Sequence, residues 1–142
     1  MFELFRRTSR LAHHGYSTKI QSAEDVYQYF RDGLAEKKKE HFYCLCLDTK
    51  HRIIQETLVS VGILDASLIH PREVFNPAIK ASSHGIILVH NHPSGECEPS
   101  ANDTEVTKLL SEVGRIVGIE VLDHIIIGKD GYMSMREKGV LP

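Results

Sequence analysis

Apolar positions along the chain fall into two recurring patterns, helical spacing and short unbroken runs. Val26, Tyr29, Phe30 and Leu34 lie three or four residues apart, behind Ser22 at an N-cap position and Glu24 and Asp25 in a first turn. They predict a helix over about 23–36, ended by the triplet Lys37, Lys38 and Lys39 at the negative end of its dipole. Phe42 to Leu47 is an unbroken apolar run, the pattern of a strand buried on both faces, with Cys44 and Cys46 on one face as packed small hydrophobes. Asp48 to His51 forms a short turn, so Ile53 to Val61 is expected as an antiparallel second strand. Pro71 at a first helical position opens a helix to about Ala81, which Pro77 should kink or shorten. Ile86 to Val89 is a third buried strand. Ser100 starts the most clearly patterned helix, with Val106, Leu109, Leu110, Val113 and Val117 on one stripe and Gly118 as a candidate residue just past its end. Val121–Ile127 and Tyr132–Met135 form a hairpin around Lys129, Asp130 and Gly131. Helices intermixed with buried strands give the fold class α/β, a three-layer sandwich on a mixed β-sheet.

Length and charge narrow the partners. A chain of 142 residues has room for one core. With 17 Lys+Arg against 19 Asp+Glu, its net charge of -2 does not suit coating nucleic acid or an anionic membrane. No apolar run approaches the ~20 residues that span a bilayer, and no signal-peptide core opens the chain. Three cysteines without a Cys-x-x-Cys pair fit a reducing cytoplasm better than a disulfide framework. Residues 1–20 stand apart: Arg6, Arg7, Arg10 and Lys19 against Glu3 give +3, leaving -5 on 21–142. This basic segment reads as a tail or as the cut edge of a preceding domain.

One segment carries chemistry. His90, Asn91, His92, Pro93, Ser94 and Gly95 follow a buried strand directly, and Ser100 and Asp103 open the next helix. Histidines at i and i+2 of an extended segment point to one side and can share a metal. Pro93, Gly95 and Pro99 mark a loop able to fold the helix start back toward the strand end. Two histidines and one carboxylate with an open fourth position make a catalytic zinc site, whose bound water ionises near pH ~7. A neighbouring carboxylate is then needed to accept that water's proton. Ser100 and Asp103 also read as a helix capping box, which does not exclude a metal role for Asp103. His70 is expected to be structural, His124 to be a core histidine rather than a partner of the site, and Cys97 to be an exposed loop thiol. The remaining histidines show no site-like spacing.

The string His-x-His-Pro, six residues, Ser, two residues, Asp resembles the JAMM (MPN+/JAB) metalloprotease motif. The fuller string from His90 to Asp103, with His70 to Glu73 and Val121 to Ile125 at their expected places, resembles the RadC family over about residues 20–142. The resemblance implies a cytidine-deaminase-like sandwich with zinc at one edge of the sheet. It implies His90, His92 and Asp103 as zinc ligands, Ser100 as the oxyanion donor and an upstream glutamate as general base. Glu40, just before the first strand, matches that place, and Glu56 on the second strand is the fallback. The deaminase signature of His-x-Glu with Pro-Cys-x-x-Cys is absent, which disfavours base deamination.

The resemblance therefore implies a zinc-dependent hydrolase of peptide or isopeptide bonds acting on a peptide or protein substrate. An alternative is a DNA-repair-associated nucleic-acid-binding or nuclease factor. RadC relatives usually carry an N-terminal helix-hairpin-helix region, to which residues 1–20 resemble the joining segment, and nucleic-acid contact is expected only through that region. A second alternative, a non-catalytic scaffold, is disfavoured because every motif position is filled. No membrane contact is expected, and none of these motifs encodes an oligomeric state.

Overall fold

A computed structural model describes residues 18–141. The expectations for residues 1–17 lie outside the described residues. Within 18–20, Lys19 bridges Arg52, the Ile20 amide donates to the His51 carbonyl, and the Ile20 side chain is buried.

Three helices and five strands follow in the order α1 (Ala23–Leu34), β1 (His41–Leu47), β2 (Ile53–Val61), α2 (Pro71–Lys80), β3 (Gly85–Asn91), α3 (Ala101–Val117), β4 (Glu120–Ile127) and β5 (Tyr132–Ser134). The strands form one mixed sheet in the order β2-β1-β3-β4-β5. Only β3 and β4 run parallel, joined by α3; the other neighbours are antiparallel. A parallel pair needs such a crossover because a tight turn cannot reverse the chain twice.

Strand alternation divides the core into two layers. Tyr43, Leu45, Leu47, Ile87, Val89, Ile125 and Ile127 pack under α1 with Val26, Phe30 and Leu34. Phe42, Cys44, Cys46, Ile86, Leu88 and Ile126 face α2 and α3, meeting Val74, Phe75, Val106 and Leu110. β1 and β3 are buried along almost their whole length, as their unbroken apolar runs require, and β4 over its last four residues, His124 to Ile127. The result is the α/β three-layer sandwich on a mixed sheet.

Three local expectations change. The helix over α2 runs through Pro77 to Lys80, held by the buried face of Val74, Phe75 and Ala78. The buried stripe of α3 is Asp103, Val106, Thr107, Leu110 and Gly114, while Leu109 and Val117 are exposed. Two polar residues thus turn inward on a helix whose apolar pattern suggested a different face. The last hairpin strand ends at Ser134, where Asp123 accepts from the Ser134 hydroxyl and the Arg136 amide.

The segment after β3 is fastened to the end of β4. The His92 amide donates to the Ile127 carbonyl and the Lys129 amide to the Gly95 carbonyl. This close approach needs glycine at 128, where a Cβ would lie 2.4 Å from the Gly95 oxygen and 2.6 Å from Cys97 Sγ. Gly128→Ala is expected to destabilise the fold by about 1–3 kcal/mol through this overlap. Gly131→Ala, whose Cβ meets open space, should change stability by less than about 0.5 kcal/mol. Paired thermal unfolding of the two variants checks the difference.

Candidate metal centre

His90 is the penultimate residue of β3 and shares its sheet face with Leu88 and His124, toward α3. His92, two residues on, projects to the same side, as the strand period requires. Asp103 is the third residue of α3, whose N-cap is Ser100. The backbone between them turns at Gly95, where φ is +91°, and brings the helix start against the strand end.

The three side chains converge. The Nε2 atoms of His90 and His92 lie 3.0 Å apart, with Asp103 Oδ1 3.3 Å from the first and Oδ2 2.9 Å from the second. Ligand atoms at zinc bond lengths of about 2.0–2.1 Å around a tetrahedral centre stand about 3.3 Å apart. The donor set therefore fits a small divalent cation in both spacing and chemistry. The Nδ1 atoms face away from the cluster: that of His92 is 3.0 Å from the Glu96 carbonyl, that of His90 2.7 Å from His124 Nε2. Each ring can keep its proton on Nδ1 and offer a bare Nε2 to the cluster.

Asp103 does two tasks with one carboxylate. Its Oδ2 accepts from the Ser100 amide at 2.8 Å, and the Ser100 hydroxyl accepts from the Asp103 amide at 3.1 Å, which completes a capping box. The same oxygen faces His92. Burial pushes the Asp103 carboxyl up, but the close imidazoles of His90 and His92 outweigh it and hold the group far below the usual carboxylate range. The hydrogen bond to Asp103 raises His92, against the opposing effect of burial.

Glu40 enters from the other side. Its Oε1 lies 3.8 Å from His92 Nε2, and one carboxylate oxygen of Glu40 with one ring nitrogen of each histidine lie within 4.8 Å of one another. The other oxygen accepts from the Leu64 amide at 3.1 Å. Side-chain exposure sets the direction of access: His90 and Asp103 are 1% and 2% exposed, His92 and Glu40 13% and 16%. The cluster opens to solvent between His92 and Glu40, into a cleft of about 350 Å³ that Ile63, Leu64, Ser94, Ser100 and Asn102 also line. Pro93 and Ser94 also border a second groove of about 830 Å³, whose far wall is Tyr27, Arg31 and Glu36.

The structure thus brings together His90, His92, Asp103, Ser100 and Glu40. It does not bring Glu56 there. Glu56 pairs with Leu45 in the β1–β2 register, is fully buried, and lies on the α1 face of the sheet, opposite to His90. The fallback base is therefore placed away from the cluster by strand alternation. Cys97 is half-buried, and its Sγ lies close over Gly128 rather than in the cluster. Burial pushes its thiol up, which keeps it neutral. His124 is buried like a core histidine, yet it is hydrogen-bonded to His90, so the core expectation misses its connection to the site. Its place in the strand run from Val121 to Ile127, next to Asp123, hides that role in the sequence.

Asn91 is a further residue that sequence reasoning passed over. It is 1% exposed; its Oδ1 accepts from the His41 amide at 2.7 Å, and its Nδ2 donates to the Lys39 carbonyl at 3.1 Å. The two bonds grip the backbone on either side of Glu40. The only signal in the sequence is an amide between two histidines, where a strand end would tolerate many residues.

An α/β domain with two imidazoles and a carboxylate converging at one end of its sheet belongs to the class of candidate metal-centre domains. The family model of the RadC-like JAB domain matches residues 20–140, and the chain belongs to that family. The UPF0758 protein of Pelodictyon phaeoclathratiforme is 57% identical over 123 residues, covering 87% of this chain and 55% of that protein. The UPF0758 protein of Geobacillus sp. is 49% identical over 137 residues, 96% of this chain and 60% of its own length. That of Methanosarcina barkeri is 47% identical over 139 residues, with 98% and 60% covered. The chain spans about three fifths of the length of these curated relatives. The five-strand mixed sheet with three helices agrees with a JAB-type fold.

Asn91→Ala removes both bonds of the clamp and leaves the His41 amide without its acceptor. It is expected to cost about 1–3 kcal/mol of stability. Urea unfolding of the metal-free protein measures it, with Asn91→Asp as the near-isosteric control that retains only the acceptor.

Proposed function

We propose that this domain is a zinc-dependent hydrolase of peptide or isopeptide bonds. The observation that carries the reading is the convergence of His90, His92 and Asp103 at tetrahedral spacing, with the Glu40 carboxylate on the one side open to solvent. A bound zinc ion supplies Lewis acidity, polarising a carbonyl and lowering the pKa of water toward ~7. His90, His92 and Asp103 would hold the ion, with Glu40 beside the solvent-exposed side of the cluster. Zinc is favoured over the hard alkaline-earth cations because two of three ligands are imidazole nitrogens.

Glu40 is the general base: it accepts a proton from water and passes it to the leaving amine. The Leu64 amide holds one of its oxygens and leaves the other facing the cluster. Ser100 is the oxyanion donor. Its oxygen accepts from the Asp103 amide, which leaves the hydroxyl proton free to point into the cleft it lines. Such a donor contributes about 2.7–4 kcal/mol of barrier lowering where it has been measured by deletion. The substrate is an extended peptide segment of a protein, since the shared border at Pro93 and Ser94 joins the cluster's cleft to the groove beside α1. A cytoplasmic location suits the free thiols of Cys44, Cys46 and Cys97. No helix among the described residues is long and apolar enough to cross a membrane.

Metal analysis tests the centre. Protein purified without an affinity tag is expected to hold about one zinc per chain, the occupancy of a single three-ligand site, and both His92→Ala and Asp103→Ala should lose it. An empty wild type that takes up no zinc on reconstitution would remove the reading. A peptide-library screen then tests Glu40, with Glu40→Gln expected to retain zinc and to lose about 10²-fold or more in turnover. Undiminished turnover would transfer the base role elsewhere.

A further inference from the structure

The side chains beyond the cluster form a continuous buried path. His90 Nδ1 lies 2.7 Å from His124 Nε2, and His124 Nδ1 lies 2.6 Å from Thr107 Oγ1. Thr107 Oγ1 in turn donates to the backbone carbonyl of Asp103 at 2.7 Å. His90, His124 and Thr107 are all inaccessible to solvent. The path begins on the main chain of one cluster residue and ends on the ring of another. Phe42 packs against both imidazoles, with ring centres 6.4 Å from His90 and 5.8 Å from His124.

Proton counting gives this path a direction. A hydroxyl has one proton, and a neutral imidazole has one N–H and one bare nitrogen. His124 is fully buried, and its two ring nitrogens face His90 Nδ1 and Thr107 Oγ1, so each bond of the path holds one proton. With the Thr107 proton on the Asp103 carbonyl, Thr107 Oγ1 is an acceptor, and His124 must carry its proton on Nδ1 to reach it. His124 Nε2 is then bare and accepts from His90 Nδ1–H. His90 Nε2 is left bare, facing His92 and Asp103. Reversing every bond would place a proton on His90 Nε2 and block it as a ligand.

We infer that His124 and Thr107 are positioning residues that hold His90 in its Nδ1–H tautomer and thereby present its Nε2 to a metal. The inference rests on the metal-centre reading above and goes beyond it by assigning two residues outside the ligand set. The partner that orients a ligating histidine is commonly a carboxylate, carbonyl or water. Here a second imidazole takes that place, and it adds no further carboxylate to the core layer between the sheet and α3 beyond Asp103. Thr107 anchors the path to the helix that also carries Asp103, so the orientation of His90 and the position of Asp103 are set by the same turn of α3.

Zinc affinity and ring tautomers together test this. Affinity is measured by competition with a chromophoric chelator for wild type, Thr107→Val, His124→Phe and His124→Gln, with the fold of each checked by circular dichroism. Loss of an orienting partner is expected to weaken zinc binding by about 10–100-fold, more for His124→Phe than for Thr107→Val. His124→Gln, whose side-chain oxygen can accept from His90, should recover part of the loss. Long-range ¹⁵N–¹H spectra of the wild type give a readout that does not depend on the variants folding. They should show the Nδ1–H tautomer for His124 in the zinc-loaded protein. Equal zinc affinity in folded variants, or an Nε2–H tautomer for His124, overturns the inference while leaving the metal centre standing. A wild type that binds no zinc overturns both.

Discussion

The structure depends on the contact between the end of β3 and the first turn of α3, made by the Asp103 carboxylate. One buried carboxylate accepts from the Ser100 amide and faces both histidines. The cap satisfies an amide that the helix start would otherwise leave without a partner, and a negative group there also complements the helix dipole. The same group supplies the negative charge that two converging imidazoles require. Losing it would leave the Ser100 amide without its acceptor, removing half of the capping box, and leave His90 Nε2, on a side chain 1% exposed, facing only another nitrogen base. Fold and candidate centre therefore share one interaction rather than lying side by side.

From that contact the polar network extends into both neighbours. Toward α3 it passes through His124 and Thr107, within a layer otherwise made of Phe42, Leu88, Val106 and Leu110. Toward β1 it passes through Asn91, whose amide grips Lys39 and His41 around Glu40. Buried polar groups are costly unless paired, and each named here has a partner. The pairing explains how a core layer tolerates two histidines, a threonine and a carboxylate within it. It also holds His90, His124 and Glu40, from separate parts of the sheet, in one fixed relation.

Much of the architecture was legible before any coordinates. Unbroken apolar runs marked the central strands, helical spacing after Ser22 marked α1, and Ser100 with Asp103 marked the start of α3. The cluster residues stood out because His90, His92 and Asp103 sit at spacings that a strand end and a helix start bring together. The errors have a common physical origin. Apolar counting placed Leu109 on the buried stripe of α3 and overlooked Thr107, because a polar residue turned inward looks the same in sequence as one turned outward. Expecting Pro77 to shorten α2 underweighted the buried face that holds that helix together to Lys80.

By itself the sequence determined the order of elements, the α/β class, family membership and the identity of the converging side chains. The first two follow from local periodicity and capping chemistry, and the last two from the motif string of His90 to Asp103 and its resemblance to the family; none needs knowledge of what lies across the sheet. Tertiary structure alone decided which glutamate stands beside the histidines. Glu40 and Glu56 are both near β1 in sequence, but strand alternation and the β1–β2 register turn Glu56 beneath α1 and leave Glu40 at the mouth of the cleft. It also decided that His124, 34 residues from His90 along the chain, is its hydrogen-bond partner. That relation exists only because β3 and β4 lie parallel in a register that sets Leu88 against His124 and His90 against Ile126. Long-range pairing is a property of the assembled sheet, and no local pattern encodes it.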